Sequence, residues 1–379
     1  AQGGVAAVYK PVDDDNITLH TNDTLIAGGF KNNPDSVKVL VTEAAQEIQH
    51  ILDIGVDFDR DADGELNRTL EGGHSRRRIF HHKDSTGAEV TAKIRAAVLK
   101  RSNVTVLDNA LLCRAKKVNG GFAVDILKDG VHTEYTCQFA VFATGGIGRV
   151  YDYTTNSAIA TGDGIAIAYE MGAEIKNLSL IQFHPTAYNN KESREGFLIS
   201  NCNKERFMHN YDERLELAPR DVVSRSIILE SRKTGSDEFF LDIRYKGKEY
   251  LSNRFPMIYD FLMTQGIDMS KDLIPIFPCQ HYLMGGINVD GKGATNIPGL
   301  YAAGECSHTG VHGKNRIASN SLLEALVFSR LIAEDITKNR RKDDRASVEY
   351  PMASPEGKPL DIVDVLSQRC LNNVVNVKR

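Results

Sequence analysis

Two segments run from an apolar stretch directly into glycine, and they restrict the fold more than any other feature of the sequence. One covers residues 139–146 (FAVFATGG) and the other covers 298–305 (PGLYAAGE). Such a run is typical of a buried parallel strand, and glycine at its end lets the backbone approach a ligand where no Cβ intrudes. Together they favour a doubly wound α/β nucleotide-binding sheet, although each alone is compatible with an ordinary strand end.

Apolar periodicity predicts the elements around these segments. Residues 36–54 have apolar side chains at helical spacing, with Asp35 or Ser36 as the N-cap and Gly55 as the stop. Residues 103–142 read as short strands separated by NGG and KDG turns, which predicts a β-meander that ends in the first glycine segment. Three further helices are predicted over 89–100, 162–172 and 322–336.

Residues 174–280 differ in character from the sequence on either side. They have less regular periodicity, many charged residues and turns that resemble exposed loops. After them the strand-then-glycine plan returns, and a charge run at 338–345 is typical of a solvated linker. We therefore predict a nucleotide-binding domain in two parts, residues 1–173 and 281–337. A separate domain, residues 174–280, lies between them. Residues 338–379 are predicted to be a linker that leads into a helical region.

Composition argues against several classes of function. The chain has 379 residues and a net charge of -4, so it lacks the basic balance of a nucleic-acid-binding protein. Its six cysteines form no CxxC pair, and its histidines group closely only at 81–82 and at 308 with 312, without paired carboxylates nearby, so we expect no metal site and no disulfide framework. No run approaches roughly 18 apolar residues, and the first residues shown lack the charged-then-apolar pattern of a secretion signal. We expect a cytoplasmic protein without a membrane partner.

Four cationic or imidazole side chains lie at junctions between segments: His184, Arg220, His281 and Arg316. Each alone is typical of a surface charge or of a satisfied core histidine. As a set they would converge on two carboxylates, and the planar fork of arginine suits that task. The sequence therefore raises the hypothesis of a site for a small dicarboxylate.

Residues 319–322 (SNSL) precede the last predicted helix. Hydroxyl and amide side chains are typical N-caps, and the free N–H groups of a helix start create a positive potential. That potential suits an anion. Simple capping accounts for the same residues equally well.

The segment 71–78 (EGGHSRRR) places one carboxylate, Glu71, next to glycines and a basic cluster. A charged surface loop would have the same composition. In a site that binds carboxylates, a single glutamate is useful for holding a substrate ammonium beside them.

The order of these segments resembles the flavoprotein family of succinate dehydrogenase, fumarate reductase and L-aspartate oxidase over nearly the whole chain. Its signature blocks look like 1–4 (AQGG), 184–187 (HPTA), 217–225 (LAPRDVVSR), 281–286 (HYLMGG), 301–305 (YAAGE) and 315–323 (NRIASNSLL). The block at Glu71 is similar to the aspartate oxidase form, since the succinate and fumarate enzymes lack a carboxylate there. Three further segments also resemble that form: 206–208, 212–214 and 255–259.

The resemblance implies an α/β fold with a Rossmann-like FAD-binding domain, an inserted α+β capping domain and a C-terminal helical region. The family begins with a βαβ unit and its GxGxxG phosphate turn, which are absent before the AQGG block. A family loop between Ser200 and Asn201 and most of the C-terminal helical domain are absent too. We therefore expect this sequence to be part of a longer protein.

The resemblance also implies roles for individual residues. FAD would be bound non-covalently by Ala1, Gln2, Gly3, Gly4, Asp163, Glu305, Ser321 and Leu322. The substrate carboxylates would meet His184, Ser200, His281 and Arg316. Arg220 would handle the proton, and Glu71 would hold the ammonium. A reduced flavin carries negative charge around N1 and O2, which the helix start at 319–322 would stabilise.

The implied reaction is the oxidation of L-aspartate to iminosuccinate, with O2 or fumarate as the electron acceptor, as the first step of NAD (quinolinate) biosynthesis. Fumarate or succinate would be further ligands, and quinolinate synthase would be a partner enzyme. Two alternatives remain: a flavoprotein subunit of fumarate reductase or succinate dehydrogenase, and a flavin-free fragment that only binds or scaffolds. Glu71 argues against the first.

Overall fold

The structure is a computed structural model that describes residues 3–10, 14–188 and 199–339. The α-helices in these ranges are α1 (Ile17–Ala27), α2 (Pro34–Asp53), α3 (Thr86–Leu99), α4 (Asp163–Glu170), α5 (Arg220–Thr234), α6 (Lys248–Arg254), α7 (Pro256–Thr264) and α8 (Asn320–Asn339). Among these described helices, none combines the length and the apolar character that crossing a bilayer requires.

The strands of the described chain form five small sheets. They are β1 (Val5–Ala6), β2 (Arg68–Thr69), β3 (Ile79–Phe80), β4 (Ala110–Val118), β5 (Gly121–Lys128), β6 (Val131–Cys137), β7 (Ala140–Phe142), β8 (Ile175–Lys176), β9 (Ile181–Tyr188), β10 (Ile199–Ser200), β11 (Phe239–Leu241), β12 (Ile274–Leu283), β13 (Gly286–Asn288), β14 (Leu300–Ala302) and β15 (Ser307–His308).

The two strand-to-glycine segments lie side by side. β7 pairs with β14 in parallel, with Ala140 opposite Leu300 and Phe142 opposite Ala302. The glycine turns that follow both strands therefore lie at the same sheet edge, where ligands of α/β proteins bind. Four side chains of the two strands belong to a buried apolar cluster that also includes α4. The prediction that each segment contains a parallel strand is confirmed.

The predicted β-meander is present over part of its range. β4, β5 and β6 pair antiparallel in that order. The sheet begins at Ala110, later than predicted, and residues 140–142 leave it to pair with β14 instead. The apolar run that ends the predicted meander thus belongs to the parallel pair.

The predicted helices are present, and their ends differ from the prediction. The N-cap of α2 is Asn33, whose side-chain oxygen accepts from the backbone N–H groups of Asp35 and Ser36. Neither of those two residues is the cap, because Pro34 occupies the first helical turn, where its missing N–H costs nothing. α3 begins at Thr86, also earlier than predicted.

Helix α1 is absent from the sequence prediction because its buried side chains are polar. They are His20, Asp23 and Thr24. Nε2 of His20 lies 3.0 Å from Oδ1 of Asn320, and Nδ2 of the same asparagine donates to the Thr24 hydroxyl at 3.1 Å. An amphipathic search cannot find a helix whose inner face is bound by hydrogen bonds.

Residues 174–280 contain an antiparallel sheet in the order β10-β11-β12-β9, with α5 packed against β9. An apolar cluster between this sheet and helices α5 to α7 includes Ile227, Phe239 and Leu262. Strands β9 and β12 carry His184 and His281 respectively. The division of the chain into domains stays a prediction.

Candidate active site

One cavity brings together most of the residues predicted to form the site. Its volume is about 630 Å³, including space open to solvent, and it is lined by Gly3, Gly4, Glu71, Asn156, His184, Arg220, His281, Tyr282, Glu305, Arg316, Ser319 and Ser321. Two guanidinium groups, two imidazole rings and two carboxylates share this wall. Such a mixture suits an anionic ligand that also carries a positive group.

Five predicted residues are not brought to this cavity by the described chain. Ser200 lies on β10 and lines a different cavity, because β10 and β9 form opposite edges of their sheet. Asp163 is the first residue of α4. The side chain of Leu322 packs against an apolar cluster between α2 and α8. Ala1 and Gln2 lie outside the described residues. The roles assigned to all five stay predictions.

Arg316 is a buried cation in the cavity wall. Its guanidinium lies 4.7 Å from the ring centroid of Tyr282. Nη1 donates to the Ser321 hydroxyl and Nη2 to Nε2 of His281, both at 3.1 Å. Nε is buried and has no hydrogen-bond partner within the described chain. A buried N–H left without a partner is costly, so this donor is available for a ligand carboxylate.

The two histidines differ in the nitrogen that carries the proton. Because a guanidinium only donates, Nε2 of His281 accepts from Arg316, and its Nδ1–H donates to the Thr155 hydroxyl at 2.7 Å. In His184, Nδ1 accepts from the backbone N–H of Thr186 at 3.3 Å. The neutral His184 ring therefore carries its proton on Nε2, which can donate to an anionic ligand.

Two amide side chains that no sequence motif indicates hold Arg316 and His281 in place. Nε2 of Gln182 donates to the Arg316 carbonyl at 2.7 Å. Nδ2 of Asn156, in the cavity wall, donates to the His281 carbonyl at 2.9 Å. The neighbouring Thr155, which binds the His281 ring, is equally without a motif. Contacts between distant segments of this kind leave no periodic signal.

A buried carboxylate, Glu324, lies behind the cavity wall. It accepts hydrogen bonds from the hydroxyls of Tyr282 and Thr309 and from Nε2 of His312. Burial acts to raise the pKa of Glu324, but His312 and the hydrogen bonds outweigh it and lower that pKa. Burial and the Glu324 charge raise the pKa of Tyr282 well above its usual value. Tyr282 therefore stays protonated beneath Arg316.

The polar side chains at the start of α8 bind other segments of the chain. The helix begins at Asn320, so Asn320 and Ser321 already lie in its first turn. The Ser319 hydroxyl donates to Oε2 of Glu71 and accepts from the Gly4 backbone N–H at 3.1 Å. The Asn320 amide bonds to side chains of α1. The sequence leaves capping and anion binding equally open for residues 319–322, and the described hydrogen bonds of Ser319 and Asn320 go to other segments of the chain.

The basic cluster after Glu71 is anchored in the protein interior. Arg78 is fully buried and pairs with Asp15 and Asp23. Nε2 of His74 donates to a backbone carbonyl in the segment before α8 at 2.8 Å. Burial lowers the pKa of His74 to about 4, so its ring is neutral at physiological pH. The interpretation of 71–78 as a charged surface loop is therefore wrong for these two residues.

Glu305 lines the cavity from the turn that follows β14. Its Oε1 accepts from the Leu283 backbone N–H at 2.9 Å. A Cβ at position 146 would lie 2.3 Å from that oxygen, so a larger residue there would displace the Glu305 carboxylate. Burial raises the pKa of Glu305 to about 7, although the Leu283 N–H and Arg316 oppose the shift.

We expect Glu305 to make the stability of the FAD-free protein depend on pH. Its pKa is raised from 4.5 when unfolded to about 7 when folded, so the folded state binds more protons between these values. The free energy of unfolding therefore falls as pH rises through this window. Glu305→Gln should remove the contribution of Glu305 to this decrease in the free energy of unfolding. Thermal unfolding of both proteins between pH 4.5 and about 7 measures the difference. Equal pH dependence in the two proteins would contradict the shift.

The backbone around the cavity fits a flavin. Gly4 lies so close to β3 that an added Cβ would come within 2.4 Å of the Phe80 carbonyl oxygen. Gly3 presents backbone to the cavity without a side chain. The first turn of α8 and the Arg316 guanidinium add positive potential on the same wall. Residues 3–4, Glu305 and Ser321 thus fit a planar cofactor that becomes anionic when reduced.

One group of possible metal ligands occurs in the described chain, on β4, β5 and β6. Atoms of Cys113, Asp125 and His132 lie within 4.8 Å of one another. Nδ1 of His132 already lies 2.9 Å from Oδ2 of Asp125. Burial and the Asp125 charge raise the pKa of the Cys113 thiol. His132 and Asp125 thus already bind each other, and the neighbouring Cys113 thiol is protonated. We therefore assign no metal ion to these three residues.

Comparison with known proteins agrees with this arrangement. The FAD binding domain family model matches residues 1–322. L-aspartate oxidase of Clostridium perfringens is 44% identical over 352 residues, which cover 89% of this chain and 77% of that protein. L-aspartate oxidase of Acinetobacter baylyi is 40% identical over 90% of this chain and 66% of that protein. A variant of FrdA from E. coli quinol fumarate reductase is 30% identical with a TM-score of 0.85, covering 99% of this chain and 67% of that chain.

The fold and the site define an FAD-dependent oxidoreductase, built as an α/β flavoprotein. The chain belongs to the FAD binding domain family and, within the succinate dehydrogenase and fumarate reductase flavoproteins, to the L-aspartate oxidases. FAD is accordingly its cofactor, and membership of this family argues against the flavin-free alternative.

Proposed function

We propose that this chain oxidises L-aspartate to iminosuccinate, passing the electrons to O2 or to fumarate, as the first step of NAD biosynthesis. The observation that carries the proposal is the Glu71 carboxylate, which lies in the same cavity wall as Arg316, His184 and Arg220. The cationic groups of the cavity suit a substrate with two carboxylates. The Glu71 carboxylate among them suits a substrate that also carries an amine.

Binding is divided between oppositely charged groups. One substrate carboxylate meets Arg316, whose buried Nε is free to donate. His184 offers its Nε2–H to an oxygen of the substrate, and Glu71 accepts from the ammonium. Opposite charges at two points fix both ends of a small zwitterion, and such positioning supplies much of the rate enhancement in enzymes that bring a substrate to a cofactor.

The reaction removes a hydride from Cα and a proton from nitrogen, which leaves a C=N bond. FAD, when bound by residues 3–4, Glu305 and Ser321, supplies the acceptor for the two electrons. Arg220, in the cavity wall at the first position of α5, is the proposed proton-transfer group: its neutral guanidine form would accept the proton that the nitrogen loses and pass it to solvent. The imine product is reactive, so quinolinate synthase is the expected recipient.

The FAD-loaded protein should oxidise L-aspartate faster than succinate in a steady-state assay that also monitors fumarate reduction.

Glu71→Gln separates this reaction from its nearest alternative. Loss of the charge pair with the ammonium is expected to cost about 2 to 5 kcal/mol, or roughly 30-fold or more in kcat/KM for aspartate. Succinate has no ammonium, so its turnover should be retained. Initial rates with the two substrates measure the effect.

The matched control is Glu65→Gln, which neutralises an exposed carboxylate a short distance earlier in the chain. Its kinetics should equal those of the wild type. Retained aspartate turnover in Glu71→Gln, with fumarate reduction also unchanged, would favour the second candidate, a fumarate reductase or succinate dehydrogenase flavoprotein. That candidate draws support from the structural likeness to quinol fumarate reductase and from the cationic groups of the cavity.

A further inference from the structure

We propose that Ser319 is the positioning residue through which the site selects an amine-bearing dicarboxylate, because its hydroxyl proton fixes the carboxylate of Glu71. This inference rests on the proposed function and deepens it. Ser319 lines the cavity and is 7% exposed. Its effect on the substrate passes through Glu71.

The direction of the hydrogen bonds around Ser319 is fully determined. A hydroxyl has one proton and two acceptor lone pairs. The backbone N–H of Gly4 can only donate, so it occupies a lone pair of Oγ at 3.1 Å. The hydroxyl proton is left for Oε2 of Glu71. The Ser319 hydroxyl can therefore donate only to Glu71, and this bond holds one oxygen of the Glu71 carboxylate in a single orientation.

The backbone of Ser319 is anchored from both sides. Its φ of 61° is in the left-handed region, which non-glycine residues adopt rarely and at a cost. Its carbonyl accepts from the Ala6 N–H of β1 at 3.2 Å, and the preceding carbonyl of Ala318 accepts from Nε2 of His74 at 2.8 Å. These contacts hold the segment that carries Ser319 against the segment that carries Glu71.

The bond to Ser319 leaves Oε1 of Glu71 for the ligand. An ideal Cβ on Gly3 would lie 3.9 Å from this oxygen, so Oε1 is close to bare backbone in the cavity wall. Burial lowers the pKa of Arg316, and the Glu71 charge is one of the groups that oppose this shift. A zwitterion placed between the two would have its ammonium at Oε1 and its carboxylate at the guanidinium.

Two substitutions test the role of the hydroxyl in the full-length, FAD-loaded protein. Ser319→Ala removes the hydroxyl and keeps a Cβ at positive φ, whereas Ser319→Gly removes it and relieves that strain. In both, we expect aspartate binding to weaken relative to succinate binding by roughly 10- to 100-fold, the range for a hydrogen bond to a charged group. Dissociation constants come from the change in flavin absorbance during titration with each compound.

Ser321→Ala is the matched control, because Ser321 accepts from Arg316 in the same cavity. Arg316 meets a carboxylate that aspartate and succinate share, so this variant should weaken both equally and leave their ratio unchanged. An unchanged ratio in the two Ser319 variants, or a loss confined to Ser319→Ala, overturns the inference. A wild-type protein that binds aspartate no better than succinate overturns the proposed function itself.

Discussion

Replacing Arg220 by alanine is expected to lower kcat for aspartate by roughly 100- to 10,000-fold, the usual contribution of a positioned proton-transfer group. Arg220 lines the cavity from the first position of α5, after Pro219. That position places a cation at the positive end of the helix dipole, which disfavours it energetically. A cost of this kind at a cavity wall is typical of a functional residue. Single-turnover rates measure the loss.

FAD binding should survive this substitution. Arg220 lines the same cavity as the glycines at 3–4 and Glu305, but its proposed role is in proton transfer, whereas theirs is in holding the cofactor. The flavin absorbance of the purified variant should therefore equal that of the wild type. Arg225→Ala is the matched control, since Arg225 is an exposed arginine of the same helix. Normal turnover in Arg220→Ala would assign the proton transfer to another group.

The apolar part of the fold was predictable from the sequence. Buried parallel strands are largely apolar, and residues 140–142 and 300–302 are the clearest such runs before glycine, although Val141 is 44% exposed. Helix α2 has a regular apolar stripe and was found for the same reason. Its N-cap was misplaced because Asn33, Asp35 and Ser36 are all good caps, and only the side-chain geometry decides among them.

The polar part of the fold was not predictable. Arg78 lies fully buried between Asp15 and Asp23, although the sequence shows it as the last residue of a basic cluster. Such pairs join segments far apart in the chain, and nothing in the local pattern distinguishes them from solvated charges. Glu324 is hidden in the same way, on a helix whose apolar stripe is otherwise regular.

Within the site, the sequence predicted residues that share one cavity, but not the residues that orient them. His184, Arg220, His281 and Arg316 line that cavity together, and Glu71 lines it too. The orienting residues act through single hydrogen bonds to backbone or ring atoms, so ordinary serine, threonine, asparagine or glutamine suffices. Their identity carries no signal until the tertiary contacts are known.

Arg316→Ala is expected to raise the KM for aspartate and succinate alike, by about 30-fold to several thousandfold. Truncating one partner of a buried charge pair costs about 2 to 5 kcal/mol. Arg316 is 4% exposed, stacks on Tyr282 and has an unused Nε–H, so water cannot replace it at the carboxylate. Because both compounds carry that carboxylate, the substrate ratio should not change. Steady-state kinetics with the two compounds give the result.

Arg316→Lys distinguishes charge from geometry at this position. Lysine keeps the positive charge but cannot donate to Ser321, to Nε2 of His281 and to a carboxylate from one planar fork. We expect it to recover only part of the lost affinity. Full recovery of affinity in Arg316→Lys would mean that only the positive charge at this position matters for the substrate carboxylate. The tautomer of His281, which depends on its hydrogen bond from the Arg316 guanidinium, would then have no part in binding. If Arg316→Ala leaves KM unchanged, the substrate carboxylate lies elsewhere in the cavity. His184, whose ring carries its proton on Nε2, would then be the donor to test next.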